Sequence, residues 1–289
     1  MANKTFTGAA GSGAIGTAGN WDSAALPSAG DNLYFNQTSY DLTGDLTGIG
    51  TMGNVYMTGG WKGKLIGTSS TPVKIKLASS KTWTISAGPN CELVHISAGA
   101  SGNIPTLKAV GLRALSLSLA QTITHLECDQ IGSLVVDTDV TVTNYYLSRL
   151  RALIQEIGAA TGASSMRINS GSDVTVKRAM ATGAAVRTDI EGGAVLRVLD
   201  PAALGDASST AGAVDRGSVY VAPGGYLNWR SGQTAPTIFV SNGGKLNYQG
   251  AEKDVTIHSL RAWPESDVQR KAAGIVVTIS NDLPMANQA

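Results

Sequence analysis

The chain has 289 residues and a mass of 29.7 kDa, enough to bury a sizeable core in one elongated domain or two compact ones. Hydrophobic residues make up 43%, which excludes a disordered chain, while charged residues make up only 15%, against about 25% in average domains. The net charge of +1 supplies no field that would draw in nucleic acid or an acidic membrane surface, so neither is expected as a partner.

Ser, Thr, Asn and Gly must wet a surface so poor in charge, a composition suited to secreted proteins, particle components and other assemblies. No stretch approaches the roughly 20 apolar residues of a membrane span. Met1-Ala2-Asn3-Lys4-Thr5 carries no apolar signal core, so no secretory signal is expected. Cys91 and Cys128 are expected as buried thiols; two cysteines alone do not establish a disulfide.

Residues 1–19 form an Ala/Gly/Ser/Thr arm without periodicity, expected to be mobile unless a neighbouring subunit holds it. Gly19-Asn20-Trp21 follows, then a turn marked by Pro27 and Gly30-Asp31, and Leu33 to Phe35 begin a strand. Trp21 is expected to cap the first turn of a core.

From about residue 40 to 265 short strands succeed one another. The clearest lie at 73–77, 115–119, 134–136, 140–142, 174–176, 219–221, 238–240 and 255–257, and in most of them every second residue is aliphatic. Gly recurs 35 times, in places a packed helix would not allow. Gly192-Gly193, Gly224-Gly225 and Gly243-Gly244 each precede a short β-type run. Gly171, Gly193 and Gly217 are 22 and 24 apart, and Gly225 and Gly244 are 19 apart, a loose period near 20 in the range of solenoid repeats.

Residues 147–157 resist the pattern. Leu147, Leu150, Ile154 and Ile157 have helical spacing with Gly158 as a stop, while the flanking alternation favours a strand, and the two readings balance. After the break at Trp263-Pro264, residues 275–279 form one more apolar strand, expected to cap the stack or to pair with another chain. The division is a cap at 1–39, a body at 40–265 and a capping or interaction strand with a tail at 266–289.

A search for chemistry yields little. His95, His125 and His258 have no metal spacing, and His125 with Cys128 lacks a second pair to complete a site. Glu127 with Asp129, and Asp137 with Asp139, could stack acids on one flank with Arg149 and Arg151 nearby, as a polysaccharide-cleaving β-helix would need. Asp137-Thr138-Asp139 reads better as a turn. No nucleotide-binding, nucleophile-elbow or calcium-repeat motif is present. Trp61, Trp83, Trp229 and Trp263 are spread out rather than gathered as a sugar platform, while Tyr145-Tyr146 and Tyr226 with Trp229 suit either glycan stacking or internal packing. No catalytic, cofactor-binding or metal-binding residue is therefore assigned, and no cofactor is expected.

The opening pattern Gly19-Asn20-Trp21, Pro27, Gly30-Asp31 resembles the starts of bacteriophage virion proteins, and of some bacterial surface proteins, that fold as β-solenoids. The Gly-Gly-x-Leu/Val cadence and the turn around Gly244-Lys245-Leu246-Asn247-Tyr248-Gln249-Gly250 are similar to the same group. The resemblance implies a structural particle component and no catalytic residues.

The expected fold is all-β, a single-stranded right-handed parallel β-helix with capping ends, the hand being the general preference of parallel crossovers; the alternative is a β-sandwich or jelly roll. The expected function is a non-enzymatic capsid decoration protein located in the virion. Its expected partners are the major capsid protein or other virion proteins and further copies of itself, a trimer suiting three-fold lattice sites. Residues 1–19 and 275–279 are the candidate subunit contacts. The alternative is a tail spike or fibre protein that binds or degrades host surface glycan.

Overall fold

The computed structural model describes residues 2–36, 39–58, 65–67, 71, 73–86, 94–96, 104–117, 121–137, 140–154, 164–177, 186–200, 204 and 217–284. The chain is all-β, with parallel sheets wound as a β-solenoid of about eight turns. It divides into two compact units, Met1–Val142 and Thr143–Ala289. Every multi-residue strand pairing among the described residues is parallel, which rules out the antiparallel jelly roll.

In the N-terminal unit one sheet runs in the order Asn3–Thr5, Asn32–Tyr34, Val55–Met57, Thr82–Ser86, Ile104–Val110, Gln121–Asp129. A second runs Leu65–Ile66, Val94–Ile96, Ala114–Leu117, Ser133–Val136. The long sheet of the C-terminal unit starts within the strand Val140–Ser148, from Thr143, and runs on through Ser164–Ile168, Val186–Ile190, Ser218–Val221, Ala235–Val240, Val255–Ala262 and Val277–Ile279, and Asp282–Pro284 also pairs with Val255–Ala262. The other sheet there runs Arg151–Ile154, Asp173–Val176, Val195–Leu199, Tyr226–Arg230, Lys245–Asn247, Asp267–Val268.

Alternation puts one aliphatic residue of each turn above that of the next. Val174, Leu196, Leu227 and Leu246 stand in register and are at most 1% exposed. Burying each such side chain is worth about 1.5–3 kcal/mol. The longest strands break the two-residue period once. In Val140–Ser148 the buried residues are Val140, Val142, Tyr145 and Leu147, with Thr143 and Asn144 both turned outward. The same slip occurs in Ile104–Val110, so these strands bend without ending.

The turn glycines form a ladder. Gly193, Gly224 and Gly243 all have φ between 72° and 76°, and the N–H of Gly171, Gly193 and Gly224 donates to the carbonyl of Gly193, Gly224 and Gly243 in turn, at 3.2, 2.9 and 3.0 Å. The glycine after the bend is needed for a different reason: a Cβ on Gly225 would lie 2.7 Å from the Ile190 carbonyl oxygen. The series expected from sequence is corrected here. Gly217 precedes the strand Ser218–Val221, and the ladder passes from Gly193 to Gly224 instead.

The balanced segment resolves as strand. Residues 151–154 pair with Asp173–Val176, and Arg149 takes φ 50° at the corner between two strands, which a continuous helix forbids. Gln155 to Gly158 lie outside the described residues.

The N-terminal arm departs from expectation, because the chain itself holds it. Phe6 and Ile15 are fully buried, and Phe6 packs edge-on against Trp21 at 5.2 Å and beside Phe35 at 5.5 Å. The Trp21 indole N–H donates to the Ile15 carbonyl at 2.8 Å. The buried Asn20 amide accepts from Ala10 N–H at 2.9 Å and donates to Ser12 Oγ and the Ala14 carbonyl, both at 3.0 Å. Asp31 accepts from the N–H groups of Ala2 at 2.7 Å and Ser28 at 3.0 Å. Those two N–H groups, Ala2 first, hold its carboxyl below the usual value of 3.8 despite the opposing cost of burial.

Two outcomes are expected. Leu227→Ala should lower stability by about 2–5 kcal/mol in denaturant unfolding, whereas Thr175→Ala, on the outward side, should change it by about 0.5 kcal/mol or less. Because the folded pKa of Asp31 is depressed, its contribution is complete above about 3.8 and is lost as pH falls through the folded value. The protection factors of residues 2–6, exchange rates taken relative to the intrinsic rate at the same pH, should therefore fall on acidification, and Asp31→Asn should already show low protection at neutral pH and lose that acid dependence.

Candidate functional site

Outward positions come into register as the inward ones do, and in the C-terminal unit they build one continuous row. Tyr146, Arg167, Asp189, Tyr220, Phe239, Arg261 and Leu283 are successive partners across seven strands of the long sheet. At about 4.8 Å per strand the row spans roughly 30 Å. It contains half of the exposed large apolar side chains among the described residues: Tyr146, Tyr220 and Leu283 are 39%, 36% and 48% exposed.

The centre of the row is a layered stack. The Tyr220 and Phe239 rings lie parallel at 4.6 Å with a 3° tilt. The Arg187 guanidinium sits 4.9 Å from the Tyr220 centroid, and the Arg261 guanidinium 5.6 Å from that of Phe239. Both outer ring faces are thus covered by cations, and ring edges face solvent. Arg187 also donates to both oxygens of Asp189 at 3.1 Å, and Arg167 to Glu191 at 2.9 Å. These groups are solvent-exposed enough that each ion pair adds at most about 1 kcal/mol to stability. What they fix is orientation. A hollow of about 260 Å³ lies among Arg167, Arg187, Asp189, Glu191, Tyr220 and Ser241.

The N-terminal unit repeats the theme on its own long sheet. Thr5, Tyr34, Tyr56, Thr84, Lys108 and Glu127 are in register. Tyr34 and Tyr56 stack at 4.9 Å, and Lys108 lies 3.8 Å from Glu127.

The residues weighed for chemistry fall elsewhere. Glu127 and Asp129 share the outer side of Gln121–Asp129, but Asp137 follows Ser133–Val136 of the other sheet, and Asp139 lies outside the described residues. The four-acid flank is therefore not brought together by register. Arg149 and Arg151 belong to the C-terminal unit. Cys128 is 1% exposed, and burial, with the Glu127 charge second, pushes its thiol well above the usual value, so a reactive thiolate beside His125 is disfavoured. The side chains of His95 and Cys91 lie outside the described residues. Among those described, no three His, Cys, Asp or Glu side chains are grouped so as to hold a metal ion, and no helix is long and apolar enough to cross a membrane.

Trp263 is half-buried, and the other described tryptophans are core. Trp83 and Trp229 are fully buried, and Trp229 donates its indole N–H to the Ser231 carbonyl at 3.0 Å. Neither ring offers a face to a sugar, and Tyr145 is buried as well. Trp61 lies outside the described residues. The Tyr220–Phe239 stack was accessible in principle from sequence: Val219-Tyr220-Val221 and Ile238-Phe239-Val240 carry an aromatic at the same outward phase of two strands. Only the register shows that those strands are neighbours.

Comparison with protein-family models, with curated proteins and with solved structures returned no match.

The Cys128 thiol should resist Ellman's reagent in the native protein and react fully after unfolding. A Cys91→Ser background isolates its signal, and rapid labelling of the folded variant would contradict the burial described here.

Proposed function

We propose that the chain is a non-enzymatic structural component of a virus particle, a decoration protein that binds the outer shell of a capsid. The observation that carries the reading is the outward row from Tyr146 to Leu283, with the Arg187–Tyr220–Phe239–Arg261 stack at its centre. Tyr and Arg are the residue types that dominate protein-binding hot spots. Here they are mounted on a hydrogen-bonded sheet and mutually fixed before any partner arrives. Docking against a pre-ordered face costs little side-chain entropy, so modest contact energy suffices. The weak net charge fits recognition by shape and short-range contact rather than by long-range attraction. The resemblance of the Gly19-Asn20-Trp21 and Gly30-Asp31 opening to phage β-solenoids supplies the particle context.

Sugar binding by ring stacking draws no support from this face, because stacking needs an open ring face and both outer faces are covered by guanidinium groups. Removing residues 1–19 would delete the buried Phe6 and Ile15 and unfold the cap, so truncation does not test docking.

Add-back to capsids lacking the protein provides the test. Wild type should fill the shell, and Tyr220→Ala and Arg261→Ala should each weaken occupancy by roughly tenfold or more while circular dichroism is unchanged. Occupancy equal to wild type in both variants would remove this face from the interface. Failure of the wild type to bind capsids, with retention on host polysaccharide, would overturn the reading.

A further inference from the structure

The two ends of the sheet edge are finished differently. At the N-terminal end, the strand Asn3–Thr5 pairs with Asn32–Tyr34 on one side. Its other side is taken by the chain's own residues 20–22. Asp22 N–H donates to the Thr5 carbonyl at 2.9 Å, the Asp22 carboxylate accepts from Thr5 N–H at 3.2 Å, and Thr7 N–H donates to the Asn20 carbonyl at 2.7 Å. That edge is covered from Thr5 onward, which leaves only the Asn3 peptide groups outward.

At the other end, Val277–Ile279 pairs with Val255–Ala262, and no described residue pairs with its outer side. Val255 N–H donates to the Val276 carbonyl and Ser280 N–H to the Ile257 carbonyl, each within 3.0 Å. In a parallel ladder this turns the even-numbered peptide groups toward the neighbour and the N–H and C=O groups of Val277 and Ile279 outward. The usual guards of an exposed edge are missing. Residues 272–281 contain no charge and no proline, the run Ile275-Val276-Val277-Thr278-Ile279 has high β-propensity, and Val276 is 60% exposed.

We propose that this edge pairs with the same edge of a second copy, as an antiparallel two-fold strand pair centred on Thr278. An edge of unpaired main-chain groups is matched by another strand, and three observations select a second copy. Residues 20–22 lie along the N-terminal edge at Thr5 and Thr7 and obstruct head-to-tail stacking, so self-association at the open edge favours like ends and closes as a pair. Centring on Thr278 sets Val277 opposite Ile279 of the partner and Ile279 opposite the partner's Val277, which engages every outward peptide group of the strand. Asp282, which follows the neutral run, is already held by Arg270 of the same chain at 2.7 and 3.2 Å, so the run carries no free acidic flank and presents a neutral edge that does not repel a like edge. The two Thr278 side chains, both on the exposed face, meet at the axis. This contact lies at the Leu283 end of the row, three strands along the sheet from Tyr220, and its test needs no capsid.

Sedimentation of the full-length protein tests it. Wild type should have twice the mass of Thr278→Lys, whose like charges meet at the axis and should weaken pairing by at least about tenfold. Thr278→Glu alone should dissociate likewise, and an equimolar mixture of the Lys and Glu variants should reassociate. Val277→Pro, which removes an outward N–H and no intrachain bond, should also dissociate the pair while thermal unfolding is retained. The proposal is overturned if wild type stays monomeric at every attainable concentration, if Thr278→Lys associates as wild type does, or if the Lys and Glu variants fail to recombine. It is equally overturned if deleting residues 285–289 is what first permits association, because the covering strand would then be the chain's own.

Discussion

Main-chain hydrogen bonds between consecutive turns hold this solenoid together, and they decide which side chains become neighbours. A parallel ladder fixes register residue by residue, so inward and outward sets cannot drift from one turn to the next. The column Val174, Leu196, Leu227, Leu246 and the row Tyr146 to Leu283 are two products of the same constraint. Sequence variation is tolerated between turns because only the side of the sheet must match. That is why the core contains Val, Leu, Met and Trp at equivalent inward positions without any strict repeat.

The same constraint makes the outer face rigid enough to recognise a surface. Tyr220 and Phe239 do not find each other by side-chain flexibility; their strands stand in parallel register with 219 opposite 238 and 221 opposite 240, so the rings must lie about one strand spacing apart. Arg187 and Arg261 then close the stack on both sides, and Asp189 orients Arg187. Ion pairs that contribute little to stability thereby hold a face in one conformation, which is where their value for binding lies.

Solenoids have open ends, and this chain treats its two ends unequally. Asn20 and Trp21 work as a pair at the first turn: the amide ties down Ala10, Ser12 and Ala14, while the indole closes the core beneath Phe6. A loop of small residues that would be mobile by itself becomes a lid because one buried amide satisfies three polar groups along it. The last strand has no equivalent lid among the described residues, and Val277 and Ile279 are only half-buried although they continue the column of Val255 and Ile257. Edge pairing and core completion coincide there.

Alternation in runs such as 174–176 and 219–221, together with the Gly-Gly turns, was enough to specify a parallel coil, since both are local consequences of pleat and of backbone freedom at φ > 0. Sequence also marked Gly19-Asn20-Trp21 and Gly30-Asp31 as an opening unit, though not what they bind. It could not choose between helix and strand at residues 147–157, because the spacing Leu147, Leu150, Ile154 satisfies a helix and equally a strand that turns a corner at Arg149. It misplaced Gly217 in the glycine series, since intervals along the chain carry no information on which turns stack. Local order in this protein is therefore written in the sequence, whereas the Tyr220–Phe239 stack, the covered N-terminal edge and the bare Val277–Ile279 edge are decided by register between strands about 20 or more residues apart. Such contacts depend on how much chain each turn consumes, a quantity that no single segment contains.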